Sequence, residues 1–180
     1  GEDFSWDAWW SNLKAGRVVV TNGPLMRPLV NGKLPGHVFT AEAGETVTLQ
    51  TALSLSVQDK VEYLEIVRDG LVVENVPLDE YAKRGGRLPE IEFKESGWML
   101  IRAVTNNPKT YRLASSGPFY VEIGGTRRIS RAATQFFIDW LKERQQLVQL
   151  DDLHQRKDVL RYYLGAQKYW EAVLEASNAD

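Results

Sequence analysis

The chain has 180 residues, of which 43% are apolar, enough to bury one sizeable core or two small ones. It carries 22 basic and 24 acidic side chains and no cysteine, which excludes disulfides, zinc–thiolate sites and thiol nucleophiles. The net charge of −2 gives no overall field favouring nucleic acid or an anionic membrane, and no window approaches the ~18 unbroken apolar residues of a bilayer span. We therefore expect no nucleic-acid and no membrane partner, while the composition fixes no cellular compartment.

The first segment combines a helix with a strand. Four apolar residues recur at helical spacing and make one helix face almost wholly aromatic: Trp6, Trp9, Trp10 and Leu13. Ser5 suits the N-cap of this helix and Gly16 its end. The consecutive valines of "RVVVT" predict a strand covered on both faces. Because this order is typical of the closing unit of an α/β domain, residues 1–24 are predicted to be the tail end of such a domain. The absence of an initiator Met and of a signal pattern favours a domain excised from a longer protein.

The second segment, residues 25–124, is predicted to be β throughout. Asn31-Gly32 and Asp69-Gly70 each separate extended runs and predict tight hairpins. "TVTLQTALSL" alternates apolar and polar residues as a half-buried strand does, and Trp98 is the expected core aromatic of a later strand. Short strands with regular turn signals predict an immunoglobulin-like β-sandwich, although the Cys…Trp…Cys pattern of antibody domains is absent.

The third segment, residues 125–180, is predicted to be a C-terminal helical hairpin. One apolar stripe runs from Ala133 to Val148 and a second from Leu153 to Leu174, with Asp151 or Asp152 as the cap between them. The short connection favours an antiparallel pair. The predicted fold class is therefore mainly β with α: a helix–strand unit, a β-sandwich and a helical hairpin.

Catalytic motifs are not found. The two histidines, His37 and His154, have no companion at ligand spacing, so neither is predicted to bind a metal. No Gly-x-Ser-x-Gly sequence and no phosphate-cradling glycine loop occurs. We expect no catalytic residue, no metal ligand and no cofactor in this chain.

Two features exceed this background. Arg127, Arg128 and Arg131 cluster where the third segment begins its first helix, and cations at that position oppose the helix dipole. They are candidates for anion binding, and a salt-bridged surface turn is the simpler explanation. Six tryptophans raise the alternative of stacking platforms for sugars, although five of them fall on helical apolar stripes, where packing explains them better.

A resemblance to a known family begins in the first segment. "WDAWWSNLKAGRVVVTNGPLMRPLVNGKLPG" resembles the region after the metal-binding barrel of PHP-type metallohydrolases (polymerase and histidinol phosphatase) of the CehA/McbA group. The motif is Leu-x-x-Gly-Arg-x-x-x-Thr-x-Gly-Pro followed by Val-Asn-Gly-x-x-x-Gly. It is matched by Leu13, Gly16, Arg17, Thr21, Gly23, Pro24, Val30, Asn31, Gly32 and Gly36. "VEYLEIVRDGLVVE", "LASSGPFYVEIGG", "FFIDWLKERQQL" and "AQKYWEAVLEA" are similar to later elements of that family, so the resemblance spans nearly the whole chain.

The resemblance implies a parent that hydrolyses phosphoester, ester, amide or carbamate bonds with divalent metals held in an upstream barrel. None of those ligands maps onto this sequence. The implied function is a non-catalytic C-terminal accessory domain that packs against the catalytic barrel of the same chain and offers contacts for homo-oligomerisation. The alternative is a free-standing ligand- or carbohydrate-binding β-sandwich.

The "GRVVVTNGPL" stretch carries the remaining site candidates. In the family arrangement its strand would deliver Thr21 and Asn22 close to the catalytic mouth, where with Arg17 they are candidates for the rim of an anionic substrate site. The simpler interpretation is a turn into the sandwich, with Thr21 capping backbone groups. Fold-level analogy alone does not assign a catalytic role.

Overall fold

The computed structural model describes residues 4–180, and these divide into two compact units. The first unit ends at Arg127 and the second spans Arg128–Asp180. Strands dominate the first unit and helices make up the second, so the chain mixes β and α structure as predicted.

The first unit contains most of the regular elements. Its helices are α1 (Trp6–Lys14) and α2 (Leu78–Lys83). Its strands are β1 (Val19–Thr21), β2 (Leu25–Val30), β3 (Val38–Ala41), β4 (Val47–Leu49), β5 (Thr51–Ser56), β6 (Val61–Arg68), β7 (Leu71–Pro77), β8 (Ile91–Phe93), β9 (Gly97–Thr105), β10 (Leu113–Ser116) and β11 (Phe119–Ile123).

A seven-stranded sheet is organised around β9. One side of β9 pairs with β6, which pairs in turn with β7. The other side pairs with β11 at Gly97–Met99 and with β10 at Arg102–Val104. The strands β10 and β11 therefore form one line interrupted at Gly117 and Pro118. Outside that line β1 runs antiparallel to β10, and β3 runs parallel to β11.

Two smaller sheets complete the core of this unit. The strand β2 pairs with β5, and β4 pairs with β8. Buried side chains from the large sheet and from both small sheets form one hydrophobic cluster, in which Phe93 and Phe119 are fully buried. The alternation of exposed and buried residues along β2 shows that only one of its faces meets this core.

Several local predictions are confirmed. The hairpin of β6 and β7 turns at Asp69 and Gly70, both with positive φ. Asn31 and Gly32 also have positive φ and form the predicted tight turn, but the predicted hairpin is reduced to one bridge between Val30 and Lys33, and β2 pairs with β5. Ser5 caps α1 by accepting a hydrogen bond from the Ala8 amide. The predicted alternation from Val47 to Leu53 holds, but the run divides into β4 and β5, which lie in different sheets.

Three expectations for the first unit are wrong. The β segment contains α2, a helix of six residues, which is too short for a helical periodicity to be recognised in the sequence. All residues of β1 are exposed, Val20 by 68%, because β1 pairs with β10 alone and no layer of the described residues covers it. Trp98 is only half-buried, because the pleat directs its neighbours Gly97 and Met99 to the core instead.

The predicted helix–strand segment, α1 followed by β1, does not form a compact unit of its own. Both α1 and β1 lie in the same compact unit as the strands that follow them. The assignment of residues 1–24 to the tail of an upstream domain stays a prediction, and residues 1–3 of that range lie outside the described residues.

The second unit is a pair of helices, α3 (Arg131–Gln146) and α4 (Leu153–Glu175). Ser130 caps the first, and Asp152 caps the second by accepting from two backbone amides. A bridge between Ser130 and Ala179 places the start of α3 beside the end of α4, which confirms the antiparallel hairpin. Phe137 stacks on Trp170 across the pair, with ring centroids 4.7 Å apart. No helix within residues 4–180 is long and apolar enough to cross a membrane.

Candidate functional site

Three glycines bring separate backbone segments into direct contact in the first unit. A Cβ on Gly36 would lie 1.8 Å from the Ala15 carbonyl oxygen, and φ at Gly36 is +84°. A Cβ on Gly117 would lie 2.6 Å from the carbonyl oxygen of Gly16. Only glycine permits approaches this close. These contacts, the glycine junction, hold the turn after α1 against the loop before β3 and against the break between β10 and β11.

Two backbone hydrogen bonds fix the same junction. The Gly36 amide donates to the Pro118 carbonyl at 2.8 Å, and the Gly117 amide donates to the Val18 carbonyl at 2.7 Å. A space next to this junction is lined by residues of β1, β2 and the loop of residues 32–38.

That space is a groove of three neighbouring cavities, which we call the basic groove. The first, about 430 Å³, lies along the loop from Gly32 to Val38. The second, about 530 Å³, shares Arg17, Leu34 and Pro35 with the first and extends to β2. The third, about 260 Å³, shares Arg27 and Ser54 with the second. The shared residues show that each cavity adjoins the next.

The charge of the groove has a single sign. Three cationic side chains, Arg17, Arg27 and Lys33, line it together with the imidazole of His37, and no Asp or Glu occurs among the lining residues that the structure describes. The Arg17 guanidinium donates to the Asn12 carboxamide oxygen at 3.1 Å, which orients it at the junction of the first two cavities. Within residues 4–180 neither Arg27 nor Lys33 forms an ion pair. A groove of this kind favours anionic ligands.

Thr21 and Asn22 lie in the turn after β1 and do not line the groove. The Thr21 hydroxyl donates to the Pro24 carbonyl and accepts from the Gly23 amide. The Asn22 carboxamide donates to the Tyr111 carbonyl at 3.0 Å and accepts from the Leu113 amide at 2.7 Å. Of the three predicted rim residues, Arg17 lines the basic groove, and Thr21 and Asn22 do not.

The three arginines of the anion-binding prediction are divided between the units. Arg127 belongs to the first and donates to the Glu122 carboxylate at 2.8 Å. Arg128 belongs to the second and donates to the backbone oxygen of Asp180 at 2.6 Å. Arg131 is the first residue of α3, and its backbone amide donates to the Ala179 carbonyl. These hydrogen bonds give Arg127 and Arg128 structural roles within their own units.

The two histidines lie in different units. His37 is in the loop before β3, where its ring meets Phe39 edge to face at 4.6 Å. His154 is the second residue of α4. Among residues 4–180, no three side chains of the His, Cys, Asp or Glu type come together in a way that could hold a metal ion.

Three groups elsewhere in the first unit have shifted pKa values. Burial raises the pKa of the Tyr81 hydroxyl, which donates to the Leu53 carbonyl. Burial and the nearby Glu65 carboxylate raise the pKa of Tyr63. A hydrogen bond from Lys83 lowers the pKa of the exposed Asp79 carboxyl. None of these groups lines the groove, so they mark structural contacts on other parts of the unit.

The aromatic face of α1 is the other prominent surface of the first unit. Its four apolar residues are between 42% and 66% exposed: Trp6, Trp9, Trp10 and Leu13. Their rings meet edge to face, Trp6 on Trp9 at 6.0 Å and Trp9 on Trp10 at 4.7 Å, and α1 has no buried residue. The helical spacing predicted this face correctly, but the described residues leave it uncovered.

Sequence reasoning missed Arg27 and Ser54. Both lie on the solvent face of the β2–β5 pair, where Arg27 faces Ser54 in register. The alternation of "LMRPLV" carries a signal for Arg27, because it puts Leu25, Arg27 and Leu29 on one face. No local pattern could place that face beside Arg17.

Comparison with known proteins gives little. No protein-family model and no curated protein matches the chain. Among solved structures, the fibronectin(III)-like modules of Clostridium thermocellum CbhA match with a TM-score of 0.33 and 14% identity, over 59% of this chain and 98% of that one. At that TM-score the likeness carries no argument about fold or function.

Proposed function

We propose that the chain is a non-catalytic C-terminal accessory domain of a PHP-like metallohydrolase. In this proposal the first unit is an immunoglobulin-like β-sandwich that packs against the upstream catalytic barrel, whose divalent metals lie outside this sequence. The resemblance of residues 6–36 to that family is one support. The supports from the structure are the exposed aromatic face of α1 and the structural roles of the motif residues.

The aromatic face of α1 is the observation that carries the proposal. Three half-exposed tryptophans and a leucine on one helix form an apolar patch of the kind that marks an interaction surface. Burying the exposed half of each indole would contribute roughly 2–3 kcal/mol before ordering costs. The adjacent strand β1 is likewise exposed along its whole length. In the proposed parent the barrel precedes α1 in the chain, so the helix that carries the apolar patch would also be the element connected to the barrel.

The motif residues support a packing role over a catalytic one. Gly36 is required by its close contact with the Ala15 carbonyl oxygen, the Thr21 hydroxyl bonds within its turn, and the Asn22 carboxamide bonds to the backbone of residues 111 and 113. Asn31 plays a similar part, because its side chain donates to the Thr48 carbonyl and accepts from the Gln50 amide. The motif therefore specifies how the first strands are held together.

Metal analysis and a hydrolase assay test the non-catalytic character. We expect the purified chain to retain no stoichiometric zinc or manganese and to leave bis(p-nitrophenyl) phosphate intact, with either metal added. Tightly held metal, or turnover abolished by a chelator, would contradict the proposal.

A second candidate, a carbohydrate-binding module, is favoured by the exposed tryptophan row of α1, since indole faces stack on sugar rings. A glycan panel separates the two proposals. Saturable glycan binding that is lost in Trp6→Ala and kept in Phe136→Ala, a comparably exposed aromatic of α3, would replace the accessory role with the binding role.

A further inference from the structure

From the basic groove we infer that this chain binds a small organic anion, a phosphate or carboxylate group on an apolar body, between Arg17 and Arg27. This site goes beyond the accessory role proposed above and does not depend on the parent enzyme. It lies entirely within the first unit.

The two guanidiniums supply the recognition of charge. Both line the 530 Å³ cavity, Arg17 from the turn after α1 and Arg27 from the exposed face of β2. Guanidinium groups bind phosphate and carboxylate oxygens in a bidentate way, and such bonds are stronger than neutral ones. The bond to Asn12 already orients Arg17, so less side-chain freedom is lost on binding. The ligand meets no carboxylate among the described lining residues.

The apolar walls select for an apolar body. Val19, Leu29 and Leu34 are each at least 36% exposed and line the cavity with Pro28 and Pro35. Small-molecule sites are typically apolar cavities of several hundred cubic ångströms with a small number of convergent polar groups. Bare phosphate could pair with the guanidiniums but would leave these walls in water.

The neighbouring cavity extends the site in one direction. Lys33 and His37 line it, and Arg17 is shared between the two cavities. A ligand with a second anionic group could therefore reach Lys33 while the first remains at Arg17. Lys33 forms no ion pair among residues 4–180, so its charge is available.

Phenyl phosphate is the probe, and inorganic phosphate and phenol represent its charged and apolar halves. Titrations of the whole chain followed by 15N NMR should show saturable shifts at residues 17, 27 and 34 with phenyl phosphate. We expect each half alone to bind at least roughly tenfold more weakly. Arg17→Gln and Arg27→Gln should each weaken phenyl phosphate binding by about tenfold or more.

Arg144→Gln is the matched control, since Arg144 is an exposed arginine of α3 in the other unit, and it should bind as the original chain does. The spectra themselves report whether each variant is folded. Absence of saturable shifts at millimolar phenyl phosphate, equal binding of inorganic phosphate, or unchanged binding in both groove variants would each overturn the inference. Tighter binding of a glutamate-rich peptide than of phenyl phosphate would also overturn it, in favour of an acidic protein segment.

Discussion

The two compact units differ in where their apolar side chains go. The whole buried core cluster lies in the β-rich unit, where three sheets enclose it. In the helical unit only Thr134 and Ile138 are buried, and α4 has no buried residue. Two helices cannot enclose a core, because each can cover only one stripe of the other. Similar apolar content thus gives a closed core in one unit and exposed aromatic stripes in the other.

Substitution at the glycine junction of the β-rich unit should destabilise the chain most. Gly36→Ala would place a methyl group 1.8 Å from the Ala15 carbonyl oxygen at a φ of +84°, so we expect a loss of about 5 kcal/mol or more in the free energy of unfolding. Gly32→Ala is the control, because φ there is +76° with nothing within 4 Å, and should cost about 1 kcal/mol. Urea denaturation measures both. Equal losses would show that the close contact is not needed.

Truncation of an aromatic side chain should cost more free energy of unfolding in the β-rich unit than in the helical unit. Phe93 is fully buried, so Phe93→Ala should cost about 3–5 kcal/mol. Phe137 is 37% exposed and stacked on Trp170, so Phe137→Ala should cost clearly less, about 1–2 kcal/mol. Unfolding followed by NMR, unit by unit, measures each loss. A greater loss at Phe137 would contradict the comparison.

A smaller effect is expected at the turn after β1. Asn22→Ala removes two hydrogen bonds to residues 111 and 113 and should cost about 1–2 kcal/mol. Asn75→Ala, at an exposed position of β7, should cost less than about 0.5 kcal/mol. Thermal unfolding of the two variants provides the measurement. Equal melting temperatures of the two variants would show that Asn22 does not stabilise the turn. That result would favour the alternative role of Asn22 at the rim of a substrate site.

The smallest effect is electrostatic. The hydrogen bond and charge of Lys83 lower the pKa of Asp79, so the stabilisation is present above the pKa of the unfolded chain and is lost as pH falls through the folded value. Lys83→Gln should raise the pKa of Asp79 towards its ordinary value, in a carboxyl titration by NMR. Because both groups are exposed, global stability should hardly change. An unchanged Asp79 pKa would contradict the assignment.

Local chemistry made much of the fold predictable. Asp69-Gly70, Ser5 and Asp152 act through near neighbours in sequence, and each occupies the turn or cap expected of it. Trp98 shows the limit, because "WMLI" is apolar at every position and its face is set by β6, β10 and β11. The sequence likewise could not show that β1 lies at an uncovered sheet edge.

The candidate site was predictable only in part. Arg17 stood out through its motif, while Arg27 reaches the same cavity through pairing of β2 with β5 and through the glycine junction. Those are long-range contacts that no local window records. The residues that sequence reasoning favoured beside Arg17 hold a turn instead, since one polar side chain can satisfy backbone groups as readily as bind a ligand.

Hydroxyl-radical footprinting of α1 tests the accessory role most directly. Oxidation of Trp6, Trp9 and Trp10 would be compared between this chain and the longest protein of the reading frame that encodes it, with exposed Phe136 as the internal reference. We expect strong protection of the three tryptophans in a longer protein that carries a PHP-type barrel, and unchanged oxidation of Phe136. Equal oxidation of α1 in both proteins, or a reading frame without such a barrel, would contradict it.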